Sequence, residues 1–277
     1  MSGVLPGIRP AVPRLPVRPN RWPLRLVAGL IVALVLLSVW SVDVAWDRLG
    51  ELPAQLWHYL TLMFSSPNWD KLGDALWQTW RSVQMAWVGT VLGVIVAFPL
   101  SFLAARGIGP APVRGGLRFL FALIRAVPDI IIAIIILSVT GLTPLTGALA
   151  LAVGSVGTLG KWGFEALERV PGGAAEATRA AGASPSQVMR WGLWPEVAPE
   201  FYSFWLYRFE INVRASAVLG LIGVGGIGDM LTSYTQYREW STVGMLLIVV
   251  VVVTVALDVL SGAVRRRIMD GGAHGRR

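Results

Sequence analysis

Uncharged stretches bounded by charges, prolines and glycines divide the chain. Leu26–Val42 is a run of seventeen residues without a charge, just long enough as a helix to cross a hydrocarbon core about 30 Å thick. No small-x-small cleavage site follows it, so it reads as an uncleaved anchor rather than a signal peptide. Ser82–Ala105, between Arg81 and Arg106, is a second span, and Pro99 is expected to kink it rather than break it. Further spans are predicted over Leu117–Val139, Leu142–Leu159, Glu200–Ile222 and Thr242–Ala263. Between the first two, Leu52, Leu56, Leu60 and Met63 share one helical face, as do Leu72, Leu76 and Trp80. That pattern predicts two short interfacial helices, with Trp46, Trp57, Trp69, Trp77 and Trp80 at headgroup level. An extramembrane loop is the plainer alternative for the same residues. The segment 161–199 is too charged to cross. The expectation is an all-α polytopic membrane protein with about six transmembrane helices. It divides into a basic arm (1–25), a first span (26–42), an outer loop (43–81), a core domain (82–264) carrying the 161–199 loop, and a basic tail (265–277).

Composition supports that division. Hydrophobic residues make up 55% of the chain and charged residues 14%, against about 25% charged in an ordinary soluble domain. With a mean hydropathy of +0.62, this argues against a cytosolic enzyme, a disulfide scaffold or a disordered regulator. The net charge of +8 points to cytoplasmic loops and a lipid bilayer, not to nucleic acid, because basic residues in an apolar chain gather on the cytoplasmic side. With both termini inside, seventeen Lys and Arg fall in cytoplasmic segments and four outside. The remaining three, Arg125, Arg208 and Arg214, lie within spans. Both termini are therefore assigned to the cytoplasm. There is no cysteine, and His58 and His274 are the only histidines, which leaves little for metal or acid–base chemistry.

The most informative loop follows the fourth span. Pro171 suits the first turn of a helix, alanines propagate it, and Gly182 suits its C′ position. Ser184-Pro185-Ser186-Gln187 then reads as a capping box with proline at N1. The result is a short helix–turn–helix with a small-residue surface. Glu176 and Arg179, at i and i+3, can pair there and still present charge to a partner.

This loop resembles the EAA loop of ABC-importer membrane subunits, with Glu176, Ala177, Gly182 and Pro195 in register. Thr178 replaces the second alanine, Gly192 stands where isoleucine is usual, and Trp194 replaces leucine. Those departures are closer to the phosphonate-type permeases. That branch is also similar around Arg125-Ala-Val-Pro128-Asp129, over Leu206–Gly220 and over Leu221–Gly228, and the resemblance covers roughly residues 70–268. The resemblance implies a type I importer permease of the bacterial inner membrane. Its partners would be a second copy of itself, two ATPase subunits that carry ATP-Mg, and an extracytoplasmic substrate-binding protein. Glu176, Ala177, Arg179, Gly182 and Pro195 would then couple it to the ATPases. The implied cargo is phosphonate or a related phosphorus oxyanion. An importer of another small solute and an ion-coupled secondary transporter are the alternatives.

Charges inside the spans bear on the pathway. Arg125 and Asp129 are four apart, as are Glu210 and Arg214, so each pair can share a helix face. Two intrahelical salt bridges that brace the bundle are one reading. The other is a pathway in which Arg125, Asp129, Arg208, Glu210 and Arg214 meet an oxyanion, since a paired arginine can exchange its carboxylate for a substrate oxygen. Gly223–Gly228 fits GxGxxG but lacks the surrounding βαβ unit. No GxxxxGK[ST], HExxH or GxSxG occurs, so the chain is expected to be a non-catalytic subunit without a cofactor of its own.

Overall fold

The computed structural model describes residues 21–41 and 49–274, with side chains placed as far as residue 268. Most of the expected basic arm, residues 42–48 and the last three residues of the tail lie outside the described residues. No strand occurs among the described residues. Two units are distinguished, residues 1–56 and 57–277. In the first, α1 (Trp22–Ser41) is a 20-residue apolar helix, roughly 30 Å long at 1.5 Å per residue. Helix α2 (Leu52–Phe64), within which the boundary between the units falls, covers the first stretch expected to form a short helix.

In the second unit, α3 runs unbroken over Leu72–Ala104 with Pro99 inside it. The second expected interfacial helix is instead its opening turns. A charge such as Arg81 marks where a span leaves the membrane, but nothing in it ends a helix. The third expected span is not one helix: α4 (Ala111–Ala126) and α5 (Asp129–Thr140) meet at 92°. Val127, directly before Pro128, is held in an extended conformation (φ −97°, ψ 124°), because the proline ring clashes with a helical residue preceding it. Helix α6 (Pro144–Arg169) extends well past the predicted Leu159. The Lys161–Glu165 pair, four apart and 3.5 Å from contact atom to contact atom, supports that extension.

Helix α7 (Gly172–Ala180) follows, and then a single turn, Pro185–Gln187, runs through a π-helical stretch, Val188–Leu193, into α8 (Trp194–Gly220). Next come α9 (Ile227–Gln236) and α10 (Trp240–His274). Between α8 and α9 the glycine-rich segment is a turn: Gly223, Gly225 and Gly226 have φ of 87°, 92° and 82°, values that side chains disfavour. The Ile227 amide donates to Ser82 Oγ at 3.0 Å and ties this turn to α3.

Helices α3 and α6 pack through small residues. A Cβ on Gly93 would run into Ser155 Cβ, and one on Gly89 would sit 2.7 Å from Leu151 Cβ. Such close backbone approach is how helices associate where lipid supplies no hydrophobic drive. Among the described residues, α1, α3 with its preceding turn, and α10 are long and apolar enough to cross a membrane, and the bent α4–α5 pair would make a fourth span. Helices α6 and α8 have the length, but α6 is rich in glycine and alanine and α8 carries charge.

Candidate functional site

Two places bring the expected residues together. The first is the α7 loop. Pro171 precedes α7, and Gly182 closes it with φ 81°. The capping box is formed, with the Ser184 amide donating to Gln187 Oε1 at 2.8 Å. Glu176, Ala177, Arg179, Gly182 and Pro195 are all exposed. Ala175 and Val188 are the buried anchors, at 5% and 3% exposure. The loop therefore presents its small and charged residues outward while its apolar ones hold it to itself.

The second place is the break between α4 and α5. Asp129 opens α5, so its carboxylate sits at the positive end of a helix. Its partner is Arg208 of α8, with Nη2 3.6 Å from Asp129 Oδ2. The expected Arg125–Asp129 pair on one helix face is not formed, because the helix ends between them. Nor is Glu210 paired with Arg214: its ion-pair partner is Arg265 of α10 at 3.9 Å. The turn of α8 that buries Glu210 leaves Arg214 exposed, while Arg265 reaches back to it.

Arg208 is 6% exposed and its orientation is fixed from behind. Its Nε donates to Ser155 Oγ at 2.9 Å. Asn212 Nδ2 donates to the same oxygen at 2.9 Å and to Thr90 Oγ1 at 2.8 Å. Ser155 and Thr90 each pass their own hydroxyl proton to a carbonyl one turn back, Leu151 at 2.6 Å and Ala86 at 2.7 Å. This ladder joins α3, α6 and α8 and leaves the guanidinium little freedom. Gly154 lines the same spot: a Cβ there would collide with Asp129 Oδ1 and lie 3.0 Å from Arg208 Nη2. Ile124, Arg125, Val127, Pro128, Asp129, Gly154, Thr158 and Arg208 line an open polar cleft of about 260 Å³.

Ser155, Thr90 and Gly154 were not among the expected site residues. A serine and a glycine in an apolar helix have an ordinary packing use, and only the register of α6 against α8 singles these out. No group of three or more His, Asp or Glu side chains able to hold a metal occurs among the described residues.

Residues 89–270 match the family described as binding-protein-dependent transport system inner membrane component. The chain is 35% identical over 243 residues to a phosphite transport system permease protein of Stutzerimonas stutzeri, covering 86% of this chain and 87% of that one. It is 34% identical over 205 residues to a phosphate-import permease protein of Mycolicibacterium smegmatis, covering 73% of this chain and 38% of that one. A solved chain of an inward-facing methionine ABC transporter superposes with a TM-score of 0.65 at 21% identity, covering 73% of this chain and 99% of that chain. That likeness is one of fold.

Proposed function

This chain belongs to the family of binding-protein-dependent transport system inner membrane components, and from that premise we propose that it is the permease subunit of an ATP-driven importer for a phosphorus oxyanion. Relatives named for phosphite and phosphate transport support the substrate class. The single observation that carries it is Arg208, a buried guanidinium held in place by Ser155 on a helix that also buries Glu210 and Asn212. Placing a cation at the centre of a membrane helix costs about 2.5–3.5 kcal/mol on the insertion scale, and passage of an anion gives it a use.

In this reading the chain spans the membrane about six times with both termini in the cytoplasm. Two copies form the pathway, and Arg125, Asp129, Arg208, Glu210 and Arg214 supply its charge. Each copy offers α7 to one of two ATPase subunits, which bind ATP-Mg, and an extracytoplasmic binding protein delivers the substrate. A stiff, capped helix outside the bundle suits this coupling, because ATP-driven closure then moves a lever rather than a loose loop. Glu176, Ala177, Arg179, Gly182 and Pro195 make that contact.

The test is ATP-dependent uptake of labelled phosphite, methylphosphonate and phosphate by vesicles that contain the permease, its ATPase and its binding protein. Uptake of at least one of them, not competed by methionine, is expected. Failure of all three would remove the substrate class.

A further inference from the structure

Arg208 Nη2 is buried and has no hydrogen-bond partner among the described residues. Asp129 Oδ2, at 3.6 Å, is close enough to neutralise it electrostatically and too far to accept a hydrogen bond. A buried donor left without an acceptor is unfavourable. The guanidinium cannot swing toward the carboxylate, because its Nε is committed to Ser155 Oγ. The carboxylate cannot advance freely either, since it lies against the bare Cα of Gly154 at the start of α5. Two opposite charges are thus held at 3.6 Å, just beyond hydrogen-bond distance, beside a polar cleft of about 260 Å³. Arg125 also lines that cleft, exposed and in no ion pair among the described residues. Two cations and one anion leave the cleft with a single net positive charge.

We propose that this cleft is a saturable oxyanion subsite within the membrane domain, in which Arg208 and Arg125 hold a phosphorus oxyanion and Asp129 is the fixed internal anion whose charge competes with it. The proposal rests on the reading above and makes it more specific. A tetrahedral oxyanion offers several acceptors spread in space, so it can take the free edge of Arg208 and the fork of Arg125 at once. A carboxylate fixed to α5 can do neither. The α5 amino terminus adds its dipole on the same side, an arrangement that broken membrane helices use toward anionic groups. Asp129 has a second role. Its fixed charge, 3.6 Å from Arg208 Nη2, competes with the bound anion and keeps occupancy reversible, which a conduit requires.

The experiment uses the permease–ATPase complex in nanodiscs, without binding protein, and methylphosphonate as the probe. Binding is read from the shift in thermal unfolding with ligand concentration. Wild type is expected to saturate. Asp129→Asn, which removes the competing charge a few ångströms away, should bind about tenfold tighter. Arg208→Gln alone leaves Asp129 without its cation and can unfold, so the informative variant is Asp129→Asn/Arg208→Gln, which removes both charges. That variant is expected to fold, keep its ATPase and lose methylphosphonate binding. Equal binding by this double variant and wild type, or no binding by either wild type or Asp129→Asn, overturns the subsite. ATP-driven phosphite uptake by the wild-type complex with its binding protein separates the two ideas. If uptake persists while the subsite fails, the transport function stands alone. If no phosphorus oxyanion is taken up, the function itself is wrong.

Discussion

Thr178 and Gly192 touch: a Cβ on Gly192 would lie 2.7 Å from Thr178 Oγ1. These are two of the positions at which the α7 loop departs from the general EAA pattern, and the contact makes them one departure rather than two. Thr178 donates its hydroxyl to Ala174 O at 2.7 Å, which fills the space that a side chain at 192 would need. Gly192 is buried against the same turn, 3.2 Å from Ala174 O by its missing Cβ.

Gly192→Ile is therefore expected to destabilise the loop by about 1–3 kcal/mol, as overpacked sites do. Combined with Thr178→Ala it should recover part of that loss, because the hydroxyl it struck is gone while the Ala174 carbonyl stays 3.2 Å from the new Cβ. Co-purification of the ATPase with each variant measures the effect. Equal recovery of ATPase by the single and double variants would show that the contact carries no energy.

The polar ladder makes a second prediction. Ser155→Ala removes the acceptor of both Arg208 Nε and Asn212 Nδ2 and leaves two buried donors unmet, at about 1–3 kcal/mol each. The complex should unfold at lower temperature, and uptake should fall because Arg208 loses its fixed orientation. Ser155→Thr keeps the hydroxyl but adds a methyl where Gly93 already approaches Ser155 closely, so it is expected to rescue the hydrogen bonds and not the packing. A Ser155→Ala complex with wild-type thermal stability would contradict the ladder.

Much of this architecture was legible in the sequence because its signals are local. Gly182, with its positive φ, and the Ser184–Gln187 box are set by neighbouring residues alone. The charge partners were not legible. Arg125 and Asp129 have ideal helical spacing, and the spacing lost its meaning when Val127-Pro128 turned the chain by 92°. Proline inside a run reads equally as a kink or a break: Pro99 is carried within α3, while Pro128 starts a new helix. Glu210 pairs with Arg265, 55 positions away in sequence numbering and on another helix, although Arg214 stands one turn from it on α8. Ion pairs between helices depend on register, which spacing along one chain does not contain.

For the coupling helix, Gly182→Val forces a β-branched residue into φ 81°, a strain of about 1–3 kcal/mol. Glu176→Lys reverses an exposed charge without touching the fold. Gly182→Val is expected to weaken the loop itself, whereas Glu176→Lys should leave thermal stability unchanged and act only on the partner. Both should lower ATPase co-purification and uptake. Wild-type values of both quantities for Glu176→Lys would take that residue out of the contact.

Arg214 is the residue on which the pathway reading is most exposed to refutation. It is solvent-exposed on α8 and lines an otherwise mainly apolar cavity of about 420 Å³ with Val250, Val251 and Val255 of α10. Lipid offers a guanidinium no partner, so in the assembled transporter this surface is expected to face a second copy or the aqueous pathway. Because Glu210 is paired with Arg265 rather than Arg214, Arg214→Met removes no buried ion pair. The complex should remain folded with its ATPase bound, and uptake of labelled phosphite into vesicles should fall by about tenfold or more if the fork meets the anion in transit. Arg265→Met is the contrasting variant. It leaves Glu210, 6% exposed, without the half-exposed Arg265 that faces it at 3.9 Å, and should lower stability by less than the ~3 kcal/mol of a fully buried broken pair. A folded Arg214→Met complex that takes up phosphite at the wild-type rate would exclude Arg214 from the pathway and leave the Arg208 cleft as the cationic site.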